Sequence, residues 1–301
     1  MEQVIIFVRS CVGTDHDSLE DIIADILPRF GESGNREGRW LRERVAFEYP
    51  VGSAIGDSAF QSAREICSSH LVDLFVVSAA NRRKKLLLAD MDATIVVGET
   101  LDELAALAGF GDKVSLITKR AMLGELDFEE ALRERVSFLK GLPIELLHET
   151  YSGMILNSGA RTLVQVMTQV GATCVLVSGG FTFFTERIAR ACGFTGHHGN
   201  QLGFDGDVLS GTVIPPILDR DAKLTYLHKY AAQLGIELVD TVAVGDGAND
   251  LPMLKNAGLG VGYHPKPLVQ AEIKNSIIHS DLVSLLYMQG YTWDEIAPYI
   301  G

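Results

Sequence analysis

Leu86-Leu87-Leu88-Ala89-Asp90-Met91-Asp92-Ala93-Thr94 is the stretch on which the reading of this chain turns. A short apolar run that stops abruptly at acid-x-acid has the pattern of a buried parallel strand ending at a pocket. Two carboxylates two residues apart repel each other, and a hard divalent cation with oxygen ligands is the usual compensation. The design recurs downstream. Val242-Ala243-Val244 runs into Gly245-Asp246-Gly247-Ala248-Asn249-Asp250, and Cys174-Val175-Leu176-Val177 runs into Ser178-Gly179-Gly180. Three apolar strands, each ending in a polar turn, can aim those turns at one crevice at the carboxyl ends of an open sheet.

From residue 86 onward, strands alternate with helical segments. Besides 86–89, 173–177 and 242–244, strands are expected near 259–262 and at Ser276-Ile277-Ile278. The alternation predicts an α/β fold with a doubly wound, Rossmann-like parallel sheet. The interval from 95 to 160 is too long for one crossover. Its clearest helix has Asp127 as N-cap, Glu130 three residues on, Phe128, Leu132, Val136 and Leu139 on one face, and Gly141 and Pro143 as stops. A helical insertion directly after the first acidic motif belongs over the crevice, as a lid. Residues 199–213, with Asp205-Gly206 as turn dipeptide, read as a β-hairpin.

Before residue 80 the pattern differs. Strands at 3–8, 40–48 and 71–78 and helices at 17–30 and 57–68 give the order β-α-β-α-β, a small ferredoxin-like α+β sandwich. Asn81-Arg82-Arg83-Lys84-Lys85 reads as a short solvated connector. The expected organisation is therefore a small domain over 1–80 and a larger one over 81–301, with a helical cap inserted at about 95–160.

The chain of 301 residues carries a formal net charge of −13, which disfavours nucleic acid or an anionic membrane as partner. Any phosphorylated substrate would have to be drawn in by local positive charge and not by the overall field. No apolar stretch is long enough to span a bilayer, and the N-terminus lacks signal-peptide features, so a cytoplasmic location is expected. The four cysteines (Cys11, Cys67, Cys174, Cys192) are scattered and read as reduced thiols; the pair His197-His198 reads as part of a loop.

The pieces suggest one chemistry. A carboxylate at the end of the first strand, Asp90, beside a divalent cation can attack phosphorus and form an aspartyl phosphate. Asp92 points the same way if the chain stays extended; if it turns after Met91, Asp92 can serve the leaving oxygen as general acid. Asp246 supplies a further ligand, and Mg²⁺ suits a site of few carboxylates completed by water or phosphate oxygens. Ser178-Gly179-Gly180 offers a hydroxyl and unencumbered backbone N–H groups at a helix start, a cradle for a phosphate, and Lys223 is the fixed cation.

This ordered set resembles the haloacid dehalogenase superfamily and, within it, the phosphoserine phosphatases of bacterial serine biosynthesis. The similarity extends from about residue 82 to the C-terminal region and includes Ile117–Met122 and Phe128–Pro143 of the cap. It implies Mg²⁺-dependent hydrolysis of O-phospho-L-serine, the last step of serine biosynthesis. Asp90 is then nucleophile and metal ligand. Asp92 is general acid/base and lends its backbone carbonyl to the metal, Asp246 is the remaining ligand, and Asp250 stands behind it. Ser178, Gly179, Lys223 and Asn249 hold the phosphate. Glu99 takes the substrate ammonium and Arg135 its carboxylate, while Met122 and Phe128 shield the closed site. Read alone, Arg135 is a surface arginine on an amphipathic helix, Glu99 a helix-start acid, and Met122 and Phe128 core. One departure stands out: the family usually has Ser where this chain has Ala93, which implies tuned activity. The N-terminal region resembles ACT-like modules, with effector binding or homodimerisation as its open roles.

Three other readings share parts of this pattern. One is a phosphatase or phosphotransferase for another small phosphomonoester. Another is a signalling receiver, against which the cap insertion and Asp92 stand. The last is an idle binding protein that senses phosphoserine or serine.

Overall fold

The computed structural model describes residues 2–10, 18–30, 37–52, 54–122, 126–219 and 221–300, apart from the side chains of Lys119, Ala121 and Met122. The first sheet is built from β1 (Gln3–Arg9), β2 (Arg39–Arg42), β3 (Ala46–Val51) and β4 (Val72–Ser78), with α1 (Leu19–Ile26) after β1 and α2 (Asp57–Ser69) before β4. Its order, β2-β3-β1-β4, is antiparallel throughout, the arrangement of a ferredoxin-like β-α-β-β-α-β unit. One expectation is corrected here. The apolar run 40–48 is two strands of a hairpin, reversing at Arg44 with φ +58°. Apolar residues on both sides of a short charged turn blurred the break. α1 also ends at Ile26, where a 3₁₀ turn carrying Pro28 takes over; the expected start at 17 lies outside the described residues.

The second sheet has seven strands in the order β11-β10-β9-β5-β6-β7-β8. In chain order these are β5 (Leu86–Ala89), β6 (Thr173–Phe181), β7 (Gly196–Asp205), β8 (Val208–Ile214), β9 (Thr241–Gly245), β10 (Leu259–Tyr263) and β11 (Asn275–Ile277). All neighbours pair in parallel except β7 and β8, the expected hairpin, whose turn holds Gly206 at φ +63°. The pair His197-His198 lies inside β7, so it is strand and not loop. Ser178-Gly179-Gly180 also stays extended, within β6, and the next helix starts at Thr182.

Between β5 and β6 lie α3 (Thr100–Leu107), α4 (Gly111–Met122), α5 (Phe128–Ser137), α6 (Glu145–Gly153) and α7 (Ala160–Gln169). α5 has the expected capping box: Glu130 N–H donates to Asp127 at 2.8 Å and Asp127 N–H to Glu130 at 3.3 Å. α8 (Thr182–Cys192) joins β6 to β7 and α9 (Ala222–Leu234) joins β8 to β9. α10 (Leu251–Asn256), α11 (Pro267–Glu272), α12 (Ser284–Met288) and α13 (Trp293–Ile296) complete the chain. Leu86 and Leu88 pack on one side of the sheet with Leu227 and Met253, while Leu87 and Ala89 pack on the other with Leu163 and Leu176. Both faces are covered, which explains why β5 reads as an unbroken apolar run. β5 lies between β6 and β9, so the chain departs to opposite sides of it and opens a crevice at its carboxyl end.

The two sheets meet at β4 and β11. The Asn275 side-chain amide bonds Val76 in both directions, each at 3.0 Å. The buried carboxylate of Asp73 accepts the N–H groups of Ile278, His279 and Ser280 and the Ser280 hydroxyl, the last at 2.6 Å. The basic segment 81–85 is consequently a solvated connector only in part. Arg82 pairs with Glu48 at 2.8 Å and Lys84 is 7 % exposed. Packing of the two sheets draws in Arg82 and Lys84, whose charges find a carboxylate and carbonyls there, while Asn81, Arg83 and Lys85 stay exposed as expected of a connector.

Candidate active site

β5 delivers Asp90 and β9 delivers Asp246 to neighbouring positions because the two strands pair in register, Ala89 opposite Val244. Asp90 N–H donates to Val244 O at 3.0 Å, extending the ladder by one residue. Gly245 then makes room: a Cβ there would collide with the Asp250 carboxylate, which folds back to accept the N–H groups of Asp246 at 3.1 Å and Gly247 at 2.9 Å. Asp90, Asp246 and Asp250 are all buried, and each offers a carboxylate oxygen within 4.8 Å of the others.

Two ammonium groups answer this charge. Lys223, the second residue of α9 and 3 % exposed, lies 2.7 Å from Asp90 Oδ1 and also bonds Asp250 Oδ1. Burial favours the neutral amine, but Asp250 and Asp90 outweigh it and raise the Lys223 pKa. Lys266 lies 3.1 Å from Asp246 Oδ2 and 3.2 Å from Glu99 Oε1. Burial and the nearby Asp250 push the Asp90 carboxyl well above the usual range, with Lys223 opposing. Asp246 is raised by burial, with Lys266 opposing. Three buried acids thus face two ammonium groups, and oxygen-only donors at this spacing fit a hard divalent ion such as Mg²⁺.

Asp92 turns elsewhere. The chain does reverse after Met91, whose carbonyl accepts Ile95 N–H at 2.8 Å, and Ala93 takes φ +53° while its N–H donates to Gly98 O at 2.8 Å. The turn leads Asp92 Oδ1 to the N–H (3.0 Å) and hydroxyl of Thr100 at the start of α3, and Oδ2 to the Ser178 hydroxyl at 3.1 Å. Burial raises the Asp92 pKa against those hydrogen bonds. The Asp92 carboxylate therefore stays outside the three-acid cluster, available for proton transfer.

Ser178 Oγ also accepts Gly180 N–H at 2.8 Å. Phe128, the first residue of α5, reaches over Gly179, where a Cβ would come within 3.3 Å of its ring. Phe128, Ser178, Gly179, Lys223 and Asn249 line one small cleft. Arg135 is half-buried, its Nε donating to Ala131 O at 3.2 Å; burial lowers its pKa, against the opposing pull of Asp102, Glu99 and Asp92. The expected residues of the strand ends thus converge, Phe128 joins them from α5, and Glu99 is held by Lys266. Met122 ends α4, and its side chain lies outside the described residues.

Three supporting residues escaped the sequence reading. Thr100 follows Glu99 at a helix start and could have been found as a partner for Asp92. The buried Asn200 holds Gly179 O at 2.8 Å and Leu218 N–H at 2.7 Å. Asn200 and Lys266 lie far along the chain from what they touch, and no local pattern marks them.

The family model for haloacid dehalogenase-like hydrolases matches residues 87–255. The chain belongs to this family. Among curated haloacid dehalogenase-like relatives, a phosphoserine phosphatase of Archaeoglobus fulgidus is 39% identical over 247 residues, 81% of this chain and 72% of that one. A haloacid dehalogenase family hydrolase of Salmonella enterica serovar Typhi superposes with TM-score 0.85 at 27% identity, covering 95% of this chain and 98% of that one. A substrate-bound phosphoserine phosphatase superposes with TM-score 0.64 at 40% identity, covering 68% of this chain and 98% of that one. The chain thus stands among the phosphoserine phosphatases of the family. No described helix is long and apolar enough to cross a membrane.

Proposed function

We propose that the chain hydrolyses O-phospho-L-serine to L-serine and phosphate in a Mg²⁺-dependent reaction through an aspartyl phosphate on Asp90, as the last step of serine biosynthesis in the cytoplasm. The observation that carries the reading is the convergence of Asp90, Asp246 and Lys223 at the ends of β5 and β9, with Asp92 beside Ser178.

Asp90 Oδ1 is tied to Lys223, which leaves Oδ2 as the attacking oxygen. It forms a bond to phosphorus as the bond from phosphorus to the serine oxygen breaks. Asp92, whose pKa is raised, gives its proton to that leaving oxygen. The resulting Asp92 carboxylate takes a proton from water, which attacks the same phosphorus and releases phosphate and free Asp90. Mg²⁺, held by Asp90, Asp246 and the Asp92 carbonyl, would neutralise charge on the phosphoryl oxygens. Ser178, the N–H groups about Gly179, Asn249 and Lys223 hold the phosphoryl group, and Asp250 keeps Lys223 and the 246–247 loop in place. Glu99 receives the ammonium and Arg135 the carboxylate of the substrate by a forked pair of hydrogen bonds. Phe128 and Met122 exclude water. Another small phosphomonoester is the alternative substrate class.

In the same reading, 81–301 is the phosphatase unit, its cap at about 95–160, and 1–80 is an ACT-like unit that serves regulation or homodimerisation. The decisive experiment is phosphate release from L-phosphoserine with and without Mg²⁺, comparing wild type with Asp90→Asn. Equal turnover by the variant would refute the mechanism; turnover of other phosphomonoesters but not of phosphoserine would refute the substrate.

A further inference from the structure

A second cleft lies away from Asp90. It has a volume of about 340 Å³, within the range that holds small ligands. It opens where β4 of the first sheet approaches the amino ends of β10 and β11, so it sits at the opposite end of the parallel strands from the three-acid cluster. Its apolar wall includes Val77, Leu254, Leu259, Ile273 and Met288. Its charged groups are Arg82, Lys84, Lys255 and Lys274, with Glu272 as the lone acid of the lining.

The ion pairs show which of these charges is unanswered. Lys255 is paired with Glu272 at 2.8 Å and Lys274 with Asp57 at 3.1 Å. Arg82 shares Glu48 with Arg39, so two guanidinium groups face one carboxylate, and its Nε and Nη2 also donate to the carbonyls of Met288 and Tyr287. Lys84 has no carboxylate within ion-pair distance among the described residues. Its Nζ donates to Val239 O at 2.7 Å, one acceptor for three N–H bonds, although the residue is 7 % exposed. Asp240, an acid whose charge acts on it, is engaged by Lys85 at 2.9 Å. Val239 O in turn abuts Gly258, a glycine of the cleft wall where a Cβ would strike that carbonyl. The Lys84 ammonium therefore stands at the glycine end of the cleft. Burial lowers its pKa, as expected for an ammonium without a counter-ion. In a chain of net charge −13, a recess with surplus positive charge is a local attractor for anions.

We propose that this recess binds a small organic anion, its acid group on Lys84 and Arg82 and its apolar body against Val77, Leu254 and Met288. The ligand bridges the two sheets, because Val77 belongs to β4 while Leu254 follows β9 on α10. The site is separate from the phosphate cleft and needs no metal.

The probe is 4-iodobenzoate, a carboxylate on an apolar ring, used with the full chain. Calorimetry should show saturable binding of one molecule per chain, and the anomalous signal of iodine in a soaked crystal should fall between Val77 and Met288. Lys84→Met, which keeps the apolar stem, should weaken binding about tenfold, and Lys84→Arg should retain it. Ser78→Trp, at an exposed position on the rim, should block binding without touching a buried group. No saturable binding at millimolar concentration, iodine located elsewhere, or Ser78→Trp binding as wild type would each overturn the assignment.

Discussion

Lys223 holds its ammonium nitrogen 2.7 Å from Oδ1 of Asp90, with both side chains almost sealed from solvent. The contact requires α9 to begin beside the end of β5, and the same nitrogen reaches Asp250. Removing it leaves two buried carboxylates without their cation. Lys223→Met should cost about 3–5 kcal/mol of stability in urea unfolding with chelator present. It should also cut phosphate release about a hundredfold or more. A variant as stable as wild type would mean that the carboxylates protonate at no cost.

Lys266 stands where a divalent ion must compete with it. Its ammonium is 3.1 Å from Asp246 Oδ2, and Asp246 and Glu99 raise its pKa against the effect of burial, so it stays charged. Lys266→Met should tighten Mg²⁺ binding about tenfold in calorimetry, since a like charge a few ångströms away is removed. Unchanged or weaker binding would mean that Lys266 serves to hold Asp246 in shape.

Glu99 and Arg135 carry the substrate assignment. Arg135→Ala and Glu99→Gln should each raise KM for phosphoserine about tenfold or more. Turnover of p-nitrophenyl phosphate, which has neither ammonium nor carboxylate, should be nearly unchanged. Parallel losses on both substrates would make these residues structural and remove the argument for an amino-acid substrate.

The parts of this arrangement that were legible from sequence share one property: each is local. Leu86 to Asp92 and Val242 to Asp250 carry strand, turn and acid in consecutive residues, so the sheet and its acidic crevice could be read directly. The α5 capping box was legible for the same reason. What escaped depends on contacts remote in sequence. Lys84 reads as one of four consecutive basic residues, and its burial comes with partners remote in sequence, Val239 and Gln289. Lys266 and Asn200 act on groups brought near by the parallel sheet order. The 40–48 hairpin was missed because Arg44, a residue with no special liking for positive φ, forms its turn.

Asp73 couples the two sheets through hydrogen bonds to the chain after β11. Its carboxylate gathers three successive backbone N–H groups and a hydroxyl from residues 278–280. Asp73→Ala would leave those partly buried donors unmatched, at a cost of about 1–2 kcal/mol by chemical denaturation. Amide exchange should rise at 278–280 first. Protection there equal to wild type would show that packing of α12 on β1 and β4 suffices to hold the junction.

His198 supplies a pH dependence with a definite sign. Its ring stacks on Tyr226 at 3.8 Å between centroids, and it shares a hydrogen bond with Tyr230 at 2.9 Å. Burial, helped by Lys229 and His197, pulls its pKa down to about 4 from 6.5. Above pH 6.5 it is neutral both folded and unfolded and contributes no pH dependence. As pH falls from 6.5 toward 4, the unfolded chain takes up a proton that the folded chain resists, so stability declines across that window. Because the ring is only half-buried, the loss attributable to it should be about 1 kcal/mol. His198→Phe keeps the stacking and cannot titrate, so its stability should decline by that much less between pH 7 and 4. Parallel acid profiles for the two proteins would place the His198 pKa near its unfolded value and remove burial as the cause.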